Sequence, residues 1–241
     1  MSYDRFENTA ASQTGARTVD AGLQDYMRSV YNTMTLGLGL TGLVAAALAN
    51  IPAVKGILFG NPLLNMIVAF APLLYMLVAF RGANLMRLNS GELRTRFYLF
   101  SIMMGASFAG IFMMFSGASI ARAFFVTAAA FAGTSLYGYT TKKDLTGMGA
   151  FLFMGVFGIL IAMVVNMFLQ SAALHFIVSI VGILVFTGLT AFETQRLKET
   201  YAYGRQADEA NAKVAVMGAL SLYINFINMF QFILSFMGSR E

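Results

Sequence analysis

Eleven carboxylate side chains occur in this chain, and ten of them fall in tails or polar connections. The exception is Glu193, which closes a long, largely apolar run over 173–192. An ionisable group at membrane depth costs at least ~2.5 kcal/mol on insertion scales, so such residues face a bundle interior, find a partner and mark an ion or proton path. Inside a bundle, Glu193 would ionise in a way sensitive to pH and to any neighbouring cation. At the edge it would be an interfacial residue in water. Thr187, Thr190 and Thr194 roughly share a helical face close to it and offer hydroxyl oxygens.

A second group lies in the last apolar segment. Gly218, Ser221, Asn225 and Asn228 are spaced by three and four residues and so fall on one helical face. Unsatisfied amides in hydrocarbon are costly, which keeps that face away from lipid and surrounds the last helix with the others. Hydrogen bonding between helices and ligand binding both remain open for these amides. Arg81 ends the second apolar segment at a depth similar to Glu193, so a salt bridge between them is geometrically allowed. A snorkelling arginine is the alternative.

The elements that must position these groups follow from composition. The 241 residues are 58% hydrophobic and 11% charged, with a mean hydropathy of +0.70, which describes a polytopic membrane protein. A window of ~19 residues finds seven spans, at 29–51, 63–80, 97–117, 119–140, 149–169, 173–193 and 214–238. Pro52, Pro62, the Asn89-Ser90-Gly91 turn, Gly117 and Gly147-Met148-Gly149 punctuate them. The expected fold is an all-α membrane protein: seven transmembrane helices in one bundle over 29–241, with the last helix central. Residues 1–28 are polar and read as a disordered cytoplasmic tail rather than a signal peptide.

Thirteen of the sixteen Lys and Arg residues fall on the side of the N-terminus if the seven spans alternate. The positive-inside rule then puts the N-terminus in the cytoplasm and the C-terminus outside, and it explains the net charge of +5 without nucleic acid. Small residues such as Gly37, Gly39, Gly42, Ala106 with Gly110, and Ala129 with Gly133 are expected at close helix contacts. Gly37, Gly39 and Gly42 spell a dinucleotide fingerprint, but no strand precedes it. Zero cysteines exclude thiol chemistry, and His175 stands alone, which makes no metal cluster. With no zinc-protease, nucleophile-elbow or Walker motif, no enzyme activity and no cofactor are expected.

Three segments carry a resemblance. Leu136-Tyr-Gly-Tyr-Thr-Thr-Lys-Lys-Asp-Leu-Thr-Gly147, Phe186-Thr-Gly-Leu-Thr-Ala-Phe-Glu-Thr-Gln195 and Met217-Gly-Ala-Leu-Ser-Leu-Tyr-Ile-Asn-Phe-Ile-Asn228 resemble the Bax inhibitor-1 (YccA-like) membrane family. The seven-span layout and Leu23-Gln-Asp-Tyr-Met-Arg28 fit its bacterial members. The resemblance implies an inner-membrane protein with a pH-sensitive calcium leak, governed by two aspartates on the sixth and seventh helices. Those positions fall on Glu193 and Asn225, so one carboxylate is longer and the other is an amide. If a family arginine latches the site, Arg81 is the candidate.

Calcium prefers six to eight oxygens and gains affinity from ligand charge, so Glu193 with amide and hydroxyl oxygens should bind it weakly. The expected ion site or gate is Glu193, Asn225 and Arg81, lined by Thr190, Ser221 and Asn228, with the bilayer and calcium or protons as partners. The rival expectation is a non-transporting modulator of a membrane protease or scaffold of a stress-response complex.

Overall fold

The computed structural model describes residues 3–81, 88–201 and 208–238, with their side chains except at 3–20, 55 and 57–59. Among the described residues the chain forms eight helices: α1 (Tyr3–Ala49), α2 (Pro52–Gly60), α3 (Pro62–Ala79), α4 (Ser90–Met114), α5 (Gly117–Thr140), α6 (Thr146–Leu169), α7 (Ala172–Thr200) and α8 (Asp208–Met237). Seven of these, counting α1 from Ala21 and leaving out α2, are long and apolar enough to cross a membrane.

Local chemistry sets the helix ends. Pro52 and Pro62 open α2 and α3, where a first-turn residue has no intrahelical use for an N–H. The Asn61 side chain then accepts from the Leu63 and Leu64 amides at 3.1 and 3.3 Å. At the start of α4, Asn89 and Glu92 exchange hydrogen bonds in a capping box, at 2.8 and 2.9 Å. The Ser90 amide and hydroxyl both donate to the Glu209 carboxylate, at 2.7 and 2.9 Å, which ties the beginnings of α4 and α8 together.

Helix α8 packs against α1, α4, α5 and α7. Its apolar window is 56% buried, against 11 to 33% for the other six spans, so it is the most enclosed of them. Helices α3 and α6 sit further out, α3 resting on α4 and α6 on α7. Their outward faces carry large exposed apolar residues such as Leu77 and Phe168, as a bilayer solvent demands.

Two boundaries differ from the hydropathy reading, for the same reason. Helix α1 enters the bundle before Ser29: Leu23, Tyr26 and Met27 are buried, and Tyr26 packs on Tyr201 with ring centroids 5.2 Å apart. Helix α7 continues past Glu193 to Thr200. In both places polar residues interrupt the apolar run while the helix keeps packing on protein. The close approaches fall only partly where expected: Gly37 lies against the Phe97 ring and the Ser101 hydroxyl. A Cβ at Gly39, Gly42, Gly110 or Gly133 would meet open space, whereas Gly138 lies on the Ala191 backbone carbonyl and Gly105 on that of Thr41. The α5–α7 and α1–α4 contacts depend on these two glycines.

Candidate functional site

Glu193 is 6% exposed and lies two turns inside α7, on the side facing α8. The Ser221 hydroxyl of α8 donates to its carboxylate. Its cationic partner is Arg196, one turn further along α7, with Nη1 3.6 Å from Oε1. At that separation the pair is a Coulombic contact rather than a hydrogen bond. The arginine side chain is 62% exposed, so the buried anion is linked to an exposed cation.

Arg196 therefore stands where Arg81 was expected. Arg81 is exposed beyond α3, a helix that rests on α2 and α4 rather than α7. Among the described residues, no ion pair joins it to Glu193. Hydropathy places Arg81 at the end of a span but does not say on which side of the bundle it lies.

Asn225 lies one turn beyond Ser221 on α8, about 6 Å along the axis at 1.5 Å per residue. It is 5% exposed, and its side-chain Nδ2 has no hydrogen-bond partner. An unsatisfied buried amide is costly, and its presence one turn along α8 from the serine that faces the only buried carboxylate among the described residues marks this part of α8 as something other than optimised packing. Asn228 donates to the Ile224 carbonyl of its own helix at 2.8 Å. Thr190 is fully buried and donates to the Phe186 carbonyl, also at 2.8 Å. Both spend a donor within their own helix and keep an oxygen lone pair available.

The residues after Glu193 bind the same stretch of α7 to three other places. Thr194 bonds Ser135 of α5 at 2.9 Å, and Ser135 in turn bonds the Tyr31 hydroxyl of α1. Gln195 accepts from the Leu145 amide and donates to the Lys143 carbonyl, each at 2.8 Å, and so holds the connection between α5 and α6. Lys198 donates to the Tyr139 carbonyl at 2.9 Å. Any movement of α7 near Glu193 therefore reaches α1, α5 and α8 together.

Sequence reasoning placed Thr194 near Glu193 but missed Arg196, Ser135 and Tyr31 as parts of this neighbourhood. The i, i+3 spacing of Glu193 and Arg196 was a usable signal. The Tyr31–Ser135–Thr194 contact joins residues far apart in sequence and had none.

Among the described residues, no three His, Cys, Asp or Glu side chains converge. A cation at Glu193 would meet one carboxylate and the Ser221 hydroxyl, a donor set of low charge that suits transient passage better than tight binding.

The architecture is that of a seven-span membrane bundle with, among the described residues, one buried carboxylate between its last two helices. The family model described as inhibitor of apoptosis-promoting Bax1 matches residues 23–241. A Caulobacter vibrioides protein is 49% identical over 234 residues, covering 93% of this chain and 92% of its own length. Inner membrane protein YbhL of Escherichia coli strain K12 is 44% identical over 224 residues, covering 92% of this chain and 94% of its own. A Rickettsia prowazekii protein is 38% identical over 236 residues, 98% of each chain. The chain belongs to the Bax inhibitor-1 family of integral membrane proteins.

Proposed function

We propose that this protein is a bacterial inner-membrane cation leak, with calcium as the favoured cargo and Glu193 as its pH-responsive gate. The N-terminus is taken to be cytoplasmic, from the distribution of Lys and Arg. The observation that carries the reading is the buried Glu193, bonded across the seam to Ser221 and balanced by the exposed Arg196. Protonation removes the attraction to Arg196 and turns an acceptor-only carboxylate into a group that can donate. The α7–α8 seam then shifts between closed and open arrangements, by no more than the difference in proton affinity between them. Helix α7 carries that shift to α5 through Thr194, and Asn225 offers its unpaired amide to the path.

Calcium flux through the purified protein in proteoliposomes, measured across a pH series, tests the reading. Glu193→Gln should flatten the pH response while the protein stays folded. Arg196→Gln should displace the response without flattening it. An unchanged pH profile in Glu193→Gln overturns the gate.

A second reading draws on the amide at Asn225, which leaves the seam with one carboxylate where a cation path would gain from two. In that reading the protein is no enzyme but a non-transporting modulator of a membrane protease or stress-response complex. Liposome flux at background, together with a defined cross-linked partner lost on deleting residues 1–20, would favour it.

A further inference from the structure

Two cavities of about 750 and 550 Å³ meet at Leu38, Phe124 and Phe226. Together they form one cleft flanked by α1 and α5, with α8 behind it, that runs from Gln24 and Arg28 at one end to Asn50 and Gly117 at the other. Those bounds on α1 are 26 residues apart, about 39 Å of helix at 1.5 Å per residue, so the cleft extends over the depth of a bilayer. Its outer side is open, and large apolar neighbours such as Phe125 and Leu136 point outward there. Water gains nothing in such a lining, and an empty slot forfeits contact on every wall, so an acyl chain is the natural filling in a membrane.

The Arg28 end differs from the rest. Arg28 of α1 lines it, and Lys198 of α7 lies 5.2 Å from the ring centroid of Tyr139, which lines it from α5. Asp25 is paired with Arg28 at 3.2 Å, so these described residues put two cations, Arg28 and Lys198, against one acid at this end. Just inside it, Tyr31, Ser135 and Thr194 form a row of three hydroxyls sharing two hydrogen bonds. Three O–H donors across two bonds leave one over. When the row runs from Thr194 through Ser135 to Tyr31, the remaining donor belongs to Tyr31, which lines the cleft one turn of α1 from Arg28.

We infer that the cleft between α1 and α5 is a binding site for an anionic phospholipid, its headgroup at Arg28, an ester oxygen at Tyr31 and an acyl chain laid past Leu38 and Phe226. This does not depend on the cation-leak reading, because neither Glu193 nor Asn225 lines the cleft.

The chain has no tryptophan, so one can be introduced as the sole indole reporter. Phe124→Trp places it in the cleft, and Phe168→Trp places it on the outward face of α6, where the native side chain is 79% exposed. The full-length protein is reconstituted in phosphatidylcholine vesicles containing a minor fraction of phosphatidylglycerol, with one of the two lipids carrying brominated chains at a time. Brominated phosphatidylglycerol should quench Phe124→Trp about fivefold more than its mole fraction predicts, the enrichment one basic side chain gives an anionic headgroup. Phe168→Trp should follow mole fraction for both lipids. Arg28→Gln in the Phe124→Trp protein should bring its quenching back to mole fraction.

Leu38→Trp provides a second cleft reporter should Phe124→Trp fail to fold. Cleft quenching at mole fraction for both lipids would overturn the headgroup assignment. Absence of quenching by either lipid in the cleft, with Phe168→Trp quenched normally, would overturn the site itself.

Discussion

Helix α8 carries two buried polar clusters that answer the same problem in opposite ways. Toward α1 and α4, the Tyr223 hydroxyl bonds Thr41 at 2.6 Å, and Thr41 reaches the carbonyls of Ser101 at 2.9 Å and Gly37 at 3.0 Å. Phe97 and Phe100 stand edge-on to the tyrosine ring, with centroids 5.5 and 5.8 Å away. This cluster is neutral and fully partnered. Two residues away in either direction, and therefore about 200° around the helix, Ser221 meets a buried carboxylate of α7 whose counter-charge is exposed, and the amide of Asn225 is left unpaired. The first arrangement holds helices together; the second retains polarity that packing does not need. In a membrane, where association gains nothing from excluding water, that difference separates adhesive polar residues from functional ones.

Mutations can break this comparison at several strengths. The largest effect is expected from Tyr223→Ala, which opens a cavity at the fully buried junction of α1, α4 and α8 and should cost about 3–5 kcal/mol in unfolding experiments in detergent. Thr41→Val removes the tyrosine's partner and leaves its hydroxyl buried, at roughly 1–3 kcal/mol. Asn225→Leu should be neutral or mildly stabilising, because it deletes an amide already unsatisfied, yet it should alter cation flux and its pH dependence. Equal losses of stability from Thr41→Val and Asn225→Leu, with flux unchanged in both, would reduce the two clusters to one kind of adhesive. Asn225→Asp sharpens the contrast from the other side: a second carboxylate one turn from Ser221 should strengthen the calcium dependence of flux.

What could be read beforehand follows from what costs most. A carboxylate in an apolar run is conspicuous because few positions tolerate it, and amides at spacings of three and four declare a shared face without any tertiary information. The spans were legible for the same reason, since a bilayer imposes length and composition on each. Thr41 and Tyr223 gave no such sign, because both residue types are ordinary in apolar helices and their meeting joins α1 to α8 across 182 positions. Glu193 appeared to sit near a helix end because hydropathy falls at Glu193, Gln195, Arg196 and Lys198. The helix continues because Gln195 and Lys198 find carbonyls and an amide in the chain around the α5–α6 connection, an energy term that no hydropathy window contains.

That connection supplies the smallest expected effect and the control for the gate. Asp144 lies in water between the spans, and its carboxylate accepts from the Thr146 side chain and from the Thr146 amide, the latter at 2.8 Å. Those two bonds hold its carboxyl below the usual carboxylate range, and they begin α6, whose cap residue Leu145 has no side-chain acceptor of its own. A folded-state pKa below the unfolded one means that the stabilisation is fully present above the ordinary value of 3.8 and is lost as pH falls through the lowered one. Asp144→Asn should therefore lower the melting temperature slightly at neutral pH, with the gap to the native protein closing in acid. Because this titration takes place in the loop, the pH profile of flux near neutrality should be the same with and without the Asp144 carboxylate. A shift of that profile in Asp144→Asn as large as the one in Glu193→Gln would move the pH sensor out of the bundle and remove the functional distinction between the two faces of α8.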